Sequence, residues 1–260
     1  MKKMSKKNKI LLQTIITVLL ILLAFGMFSI YELHVKPTKI PSVDELIKEK
    51  KKEKYQEKEE KPNIQEYVNI LPLARQETGN PDVMGKLQIP DIGIDAWITR
   101  AADNEYYLNY NLWRQWDQLG VPFFDFRNYN LNTDRQINIY GHNTTNQSIM
   151  DKLPLINIEA YVDEGIFNNY KDVYLSIDER QIHYEVIAVK LVDDWDNEHM
   201  KIAFSDDNDF LNHTAKLLQN TMHKRENIDI SKDDNLIVLQ VCHYNPPGTY
   251  LLVIGKEVKV

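Results

Sequence analysis

The chain reads as a mainly β domain, a closed or nearly closed barrel with flanking helices, carried behind an apolar span and a charged stalk. Three observations lead there. From Gly79 onward short β-type runs alternate with turn residues; Asp44 to Lys61 is almost all charge; and Ile10 to Ile30 carries no charge over 21 positions.

The apolar run comes first. A helix rising about 1.5 Å per residue over that stretch crosses a hydrocarbon layer about 30 Å thick. It ends in Phe28, Ile30 and Tyr31 with no small-residue cleavage site, so it predicts an uncleaved anchor at 10–30 rather than a signal peptide. Lys2, Lys3, Lys6, Lys7 and Lys9 precede it, which predicts a cytoplasmic tail at 1–9 and everything beyond Tyr31 outside the cell. With these five lysines set aside, the net charge of −7 becomes −12 for the remainder, which argues against a nucleic-acid or anionic-lipid surface.

Residues 31–62 read as a stalk. Charges of both signs interleave there, and Glu49/Glu53 and Lys54/Lys58 recur at helical spacing, consistent with one exposed helix. The folded domain is expected at 63–260. Ile64, Tyr67, Val68 and Leu71 follow the i, i+3, i+4, i+7 pattern of a helix packed on its body.

Eight strands are then expected: MGKLQIP, IDAWITR, VPFFDF, QINIYGH, DVYLSID, IHYEVIAVKLV, NLIVLQVC and TYLLVIGKEVKV. That number in one domain suits a barrel. Helical patterns interrupt them at Asn104 to Tyr110, Met150 to Leu155, Glu159 to Tyr170 and Asp207 to Lys224. In the last, Phe210, Leu211, Ala215, Leu217, Leu218 and Met222 form the apolar stripe, and Asp206 and Asp207 suit its N-terminal dipole.

The chain has one cysteine, Cys242, so no internal disulfide forms. It ends a strand and faces the turn-rich loop His243-Tyr244-Asn245-Pro246-Pro247-Gly248, where a thiol is accessible and, once ionised, nucleophilic. Among the seven histidines, His142 is the best partner, because it too leaves a strand, QINIYG, into a polar loop. His243 alternates to the opposite face from Cys242. His34 lies beside the membrane, His183 has exposed parity on its strand, and His199, His213 and His223 read as solvated. No zinc spacing, phosphate-binding glycine loop or G-x-S-x-G elbow is present, and nothing implies a metal or organic cofactor.

Several ordered segments resemble the sortase family, class B, over roughly Asn80 to Val260. NPDVMGKLQIPDIGIDAWI resembles the opening two strands, and DNEYYLNYN is similar to a stretch characteristic of class B. VPFFDFRN, INIYGHN and LIVLQVC resemble the strands that carry the histidine and the nucleophile. The resemblance implies an eight-stranded sortase-type barrel with His142 and Cys242 at neighbouring strand ends, and substrate contacts from Val241 and Asn143. It also implies a membrane-anchored cysteine transpeptidase that cleaves a C-terminal sorting signal on secreted proteins. The acyl group then passes to an amine of a cell-wall precursor or a pilin lysine, as in Gram-positive surface anchoring and pilus assembly.

Two features depart from the family pattern. Its T-L-x-T-C motif reads Val238-Leu239-Gln240-Val241-Cys242 here, and no arginine occurs from Cys242 to Val260. Tyr250, or Leu251 beside it, stands where that arginine falls, and Arg127 and Arg100 are candidate substitutes. A sortase-shaped binding or assembly factor with little turnover is the alternative reading.

Overall fold

A computed structural model describes residues 67–259. The expected tail, anchor and stalk, and the domain start at 63, lie outside the described residues. Among those described, no helix is long and apolar enough to cross a membrane.

The strands are β1 (Val83–Ile89), β2 (Ile94–Thr99), β3 (Phe123–Phe124), β4 (Gln136–Gly141), β5 (Asp172–Ser176), β6 (Gln181–Asp193), β7 (His223–Lys224), β8 (Leu236–His243) and β9 (Thr249–Glu257). They join in the order β5-β1-β2-β3-β4-β8-β9-β6-β7, and β5 also pairs with β6. That last pairing closes eight strands into a barrel and leaves β7 hanging on β6. Closure removes the open edges that a flat sheet would expose.

All eight expected strands form. The runs of β8 and β9 are apolar almost without a break because both of their faces are covered. Ile237, Leu239 and Val241 point into the barrel with Ile137, Ile139, Leu251 and Val253. On the outer face Leu236, Val238, Leu252 and Ile254 pack under Phe210 and Leu217 of helix α3 (Asp207–Leu217).

The helices depart more from expectation. Helix α1 spans Leu71–Thr78, and Tyr67 to Ile70 are not helical, so the spacing that begins at Ile64 is not a helical stripe there. Pro72 is the reason: it suits the first turn, whereas inside a longer helix it would remove a hydrogen bond and strike the carbonyl four residues back. Asn104 to Tyr110 and Met150 to Leu155 condense to single 3-10 turns at Tyr106–Leu108 and Met150–Lys152. The stretch expected from Glu159 to Tyr170 is a 3-10 turn, Ile156–Val162, and then α2, Glu164–Asn169, divided at Asp163, whose carboxylate caps α2. Helix α3 stops at Leu217 rather than Lys224, and Asn220 takes a positive φ of 52°. The chain then turns back, Met222 N–H donates to Val189 C=O at 2.7 Å, and β7 pairs with β6. The buried stripe of α3 is Phe210, His213, Thr214 and Leu217, while Ala215 and Met222 are exposed.

The pairing that positions the site is between β4 and β8. They run parallel in the register Gln136↔Leu236 through Gly141↔Val241.

Candidate active site

The β4–β8 ladder ends at Gly141↔Val241, so the next residues, His142 and Cys242, leave adjacent strands side by side. Side chains alternate along a strand, and matched residues of parallel strands share a face. With Ile137, Ile139, Ile237, Leu239 and Val241 turned inward, the even-numbered residues of both strands face outward, His142 and Cys242 among them. On the other side of β8, Tyr250 of β9 pairs directly with Cys242. Three adjacent strands therefore carry imidazole, thiol and phenol in one row.

A cleft of about 480 Å³ opens over this row. Its walls come from the β2–β3 connection, through Asn104 and Leu108, and from the β6–β7 connection, through Asn197 and Met200. The first wall also orients the histidine. His142 Nε2 lies 2.8 Å from the Leu108 carbonyl, which only accepts, so a neutral ring carries its proton on Nε2 and keeps Nδ1 as its basic nitrogen. The turn that presents Leu108 depends on Gly120, with φ +54°. A Cβ there would stand 2.3 Å from the Tyr107 carbonyl.

The thiol of Cys242 is half-buried. Burial pushes its pKa up, and the negative charge of Asp194 adds to the rise. Both disfavour the thiolate. For this sulfur to act as a nucleophile, a nearby base would have to take its proton.

No family model matches the chain. It is 28% identical over 170 residues to sortase B of Listeria monocytogenes, covering 63% of each chain. The match to sortase B of Staphylococcus aureus is 22% over 186 residues, covering 70% of this chain and 72% of that one. The solved sortase B of Clostridium perfringens superposes with a TM-score of 0.65 at 27% identity, over 72% of this chain and 99% of that one. For the Listeria monocytogenes sortase B structure the TM-score is 0.62 at 26% identity, over 71% and 99%. The chain is thus similar, in sequence and in fold, to class B sortases.

The other expected residues fall in different places. Tyr250 lines the cleft, whereas Leu251 is fully buried in the core, which resolves which of the two faces the thiol. Val241 has its side chain in the barrel interior, so only its backbone borders the cleft. Asn143 does not line the cleft; its Nδ2 donates to the Cys242 carbonyl at 2.7 Å and to Glu159 Oε2 at 2.9 Å. Neither arginine reaches the thiol cleft. Arg127 donates twice to buried Asp125, at 2.8 and 2.7 Å, and once to the Met200 carbonyl. Arg100 donates to the Asn128 carbonyl and lies over Tyr129.

The expected solvated histidines need correction. His199 and His213 are each 2% exposed. His199 Nε2 is 2.7 Å from Gln240 Oε1, two residues before the cysteine on the same face, and His213 Nε2 is 2.9 Å from Gln136 Oε1. Gln136 Nε2 donates to Asn138 Oδ1 and to the His199 carbonyl, both at 2.9 Å. Burial pushes His199 down and His213 down to about 4, and the Nδ1 of each ring has no hydrogen-bond partner to receive a second proton. His183 is half-buried beside Asp172, and His223 is half-buried with Nε2 2.8 Å from the Val162 carbonyl. The readable signal was on the strands: Gln136, Asn138 and Gln240 interrupt apolar runs, and buried amides require partners from elsewhere.

Proposed function

We infer that this chain is a membrane-held cysteine transpeptidase. Cys242 Sγ attacks a backbone carbonyl of a sorting-signal peptide as its proton passes to His142. The C–N bond breaks, the imidazolium protonates the leaving amine, and a thioacyl-enzyme remains. An incoming amine, deprotonated by His142, attacks the thioester; the C–S bond breaks and the sulfur regains a proton. Tyr250 offers an O–H to the oxyanion where the family has an arginine.

The observation that carries this reading is the row His142–Cys242–Tyr250 across three neighbouring strands, under one cleft. Relatives give it chemical context. One solved structure is a Staphylococcus aureus sortase B–substrate complex, and another is a sortase B complexed with triglycine. For this chain the donor is a secreted protein with a sorting signal, and the acceptor an amine of a cell-wall precursor or a pilin lysine. The uncharged run at 10–30 and the lysines before it support a single-pass anchor with the barrel outside the cell. The alternative, a binding or assembly factor with little turnover, is not favoured, because nucleophile and base are both present and share the cleft.

The test uses the full chain in detergent with a panel of sorting-signal peptides. Mass spectrometry is expected to find a thioacyl adduct on Cys242 that an added amine releases as a new amide. The Cys242→Ala chain should form none. Absence of an adduct across the panel would return the binding factor to first place.

A further inference from the structure

The ladder between β4 and β8 stops one residue short of the catalytic pair. No backbone pairing therefore holds His142 against Cys242, and something else must set their spacing. The residues immediately after them, Asn143 and His243, point to the opposite face and are 8% and 5% exposed. There they meet a single carboxylate. Glu159, in the 3-10 turn Ile156–Val162, places Oε2 2.9 Å from Asn143 Nδ2 and Oε1 2.6 Å from His243 Nδ1. The second is a close contact without a hydrogen bond, and it joins opposite charges only when the ring is protonated.

Further bonds tie the same two strand ends. The other N–H of the Asn143 amide donates to the Cys242 carbonyl at 2.7 Å, and Tyr244 O–H donates to the Asn143 carbonyl at 3.0 Å. His243 Nε2 stands 2.5 Å from the Asn245 carbonyl, fixing the ring from its far side. One side chain thus meets the residue after the base and the residue after the nucleophile, and it lines a neighbouring pocket rather than the cleft over the thiol.

We propose that Glu159 is a positioning residue that sets the separation of His142 and Cys242 by clamping Asn143 and His243. It touches no reacting atom. Catalytic groups lose rate steeply when displaced by about 1 Å, whereas binding along the remainder of a cleft is little affected. Loss of the clamp should therefore appear in kcat rather than in KM.

The inference rests on the reading of His142 and Cys242 as a base–nucleophile pair, so its test begins with a measurement that needs no turnover. The rate of Cys242 alkylation by iodoacetamide is followed against pH in the full chain in detergent, with and without His142→Ala, and again in a Glu159→Ala background. The expected result is that removing His142 changes the profile in the unaltered chain and leaves it unchanged once Glu159 is gone. With a reactive peptide, Glu159→Ala should lower kcat about tenfold or more with KM within about twofold, and Glu159→Gln, which keeps an oxygen for Asn143, should recover most of the loss. Should Glu159→Ala fail to fold, Glu159→Asp is read instead; it withdraws the carboxylate by one methylene and should weaken the coupling of the two groups. A His142 effect that keeps its full size in either variant overturns the clamp alone. No His142 effect in the unaltered chain overturns both the pair and the clamp.

Discussion

A thiol that has to lose its proton to react sits here in surroundings that keep the proton on. Burial and Asp194 both raise the pKa of Cys242, and the phenol of Tyr250, directly opposite, brings no charge to offset them. Two substitutions should move the thiol in the same direction for different reasons. Asp194→Asn removes a negative charge and Tyr250→Arg adds a positive one, so each stabilises the thiolate and should shift the onset of alkylation to lower pH. An unchanged profile in both would mean that burial alone sets the thiol. Tyr250→Phe should slow acylation by about 10², the cost of losing one oxyanion donor, when thioester formation is timed with a reactive peptide. Cys242 and His142 could be singled out because they stand at strand ends, and the absence of an arginine after Cys242 can be read directly from the sequence. Asp194 could not be singled out, since its influence comes through the β6–β9 pairing, which brings Asp193 opposite Thr249.

At the level of elements, the strands could be read and the helices could not be measured. Period-two alternation and doubly covered apolar runs mark strands whatever the tertiary context, but the length of α3 was set by a turn at Asn220 and by β7 docking on β6. The charged surroundings of His199 and His213 likewise hid their burial, which exists to satisfy amides on β4 and β8. Those two histidines make a pH prediction with a definite sign. Their folded pKa values lie below the ordinary 6.5, His213 at about 4, so the unfolded chain takes up protons first as pH falls. Stability should be intact above about 6.5 and decline toward about 4 as this uptake favours unfolding. Glu198, Lys201, Asp209 and Lys216 surround His213 with charges of both signs, so burial rather than any one of them sets the direction. Thermal unfolding at stepped pH should show the decline, and His213→Gln, which has no proton to gain, should flatten it. A slope identical in the variant would assign the acid sensitivity elsewhere.

For the whole molecule, the number of strands was countable in advance but their closure was not, because the β5–β6 contact that seals the ring leaves no mark in either segment alone. The seam where β6, β8 and β9 meet is tight. A Cβ on Gly255 would lie 2.8 Å from Ile237 Cγ2 and 3.3 Å from Tyr184 Cβ. Gly255→Ala should therefore cost about 1–3 kcal/mol in urea unfolding, the range for overpacking a filled core. A variant as stable as the parent would show that the seam yields. The proposed anchor is tested at this scale too. Deleting residues 1–62 should release the barrel from the membrane fraction, and a barrel that still sediments with membranes would contradict a span at 10–30.

β8 lies between β4 and β9, and the two reactive groups stand a hundred positions apart on strands joined by a long crossover. Closing so distant a contact is a slow, late event in assembly. Until that contact closes, the sulfur has no base beside it and no cleft above it. On the proposed function, a copy whose penultimate strand has not yet slid into its slot would have no means of activating its thiol.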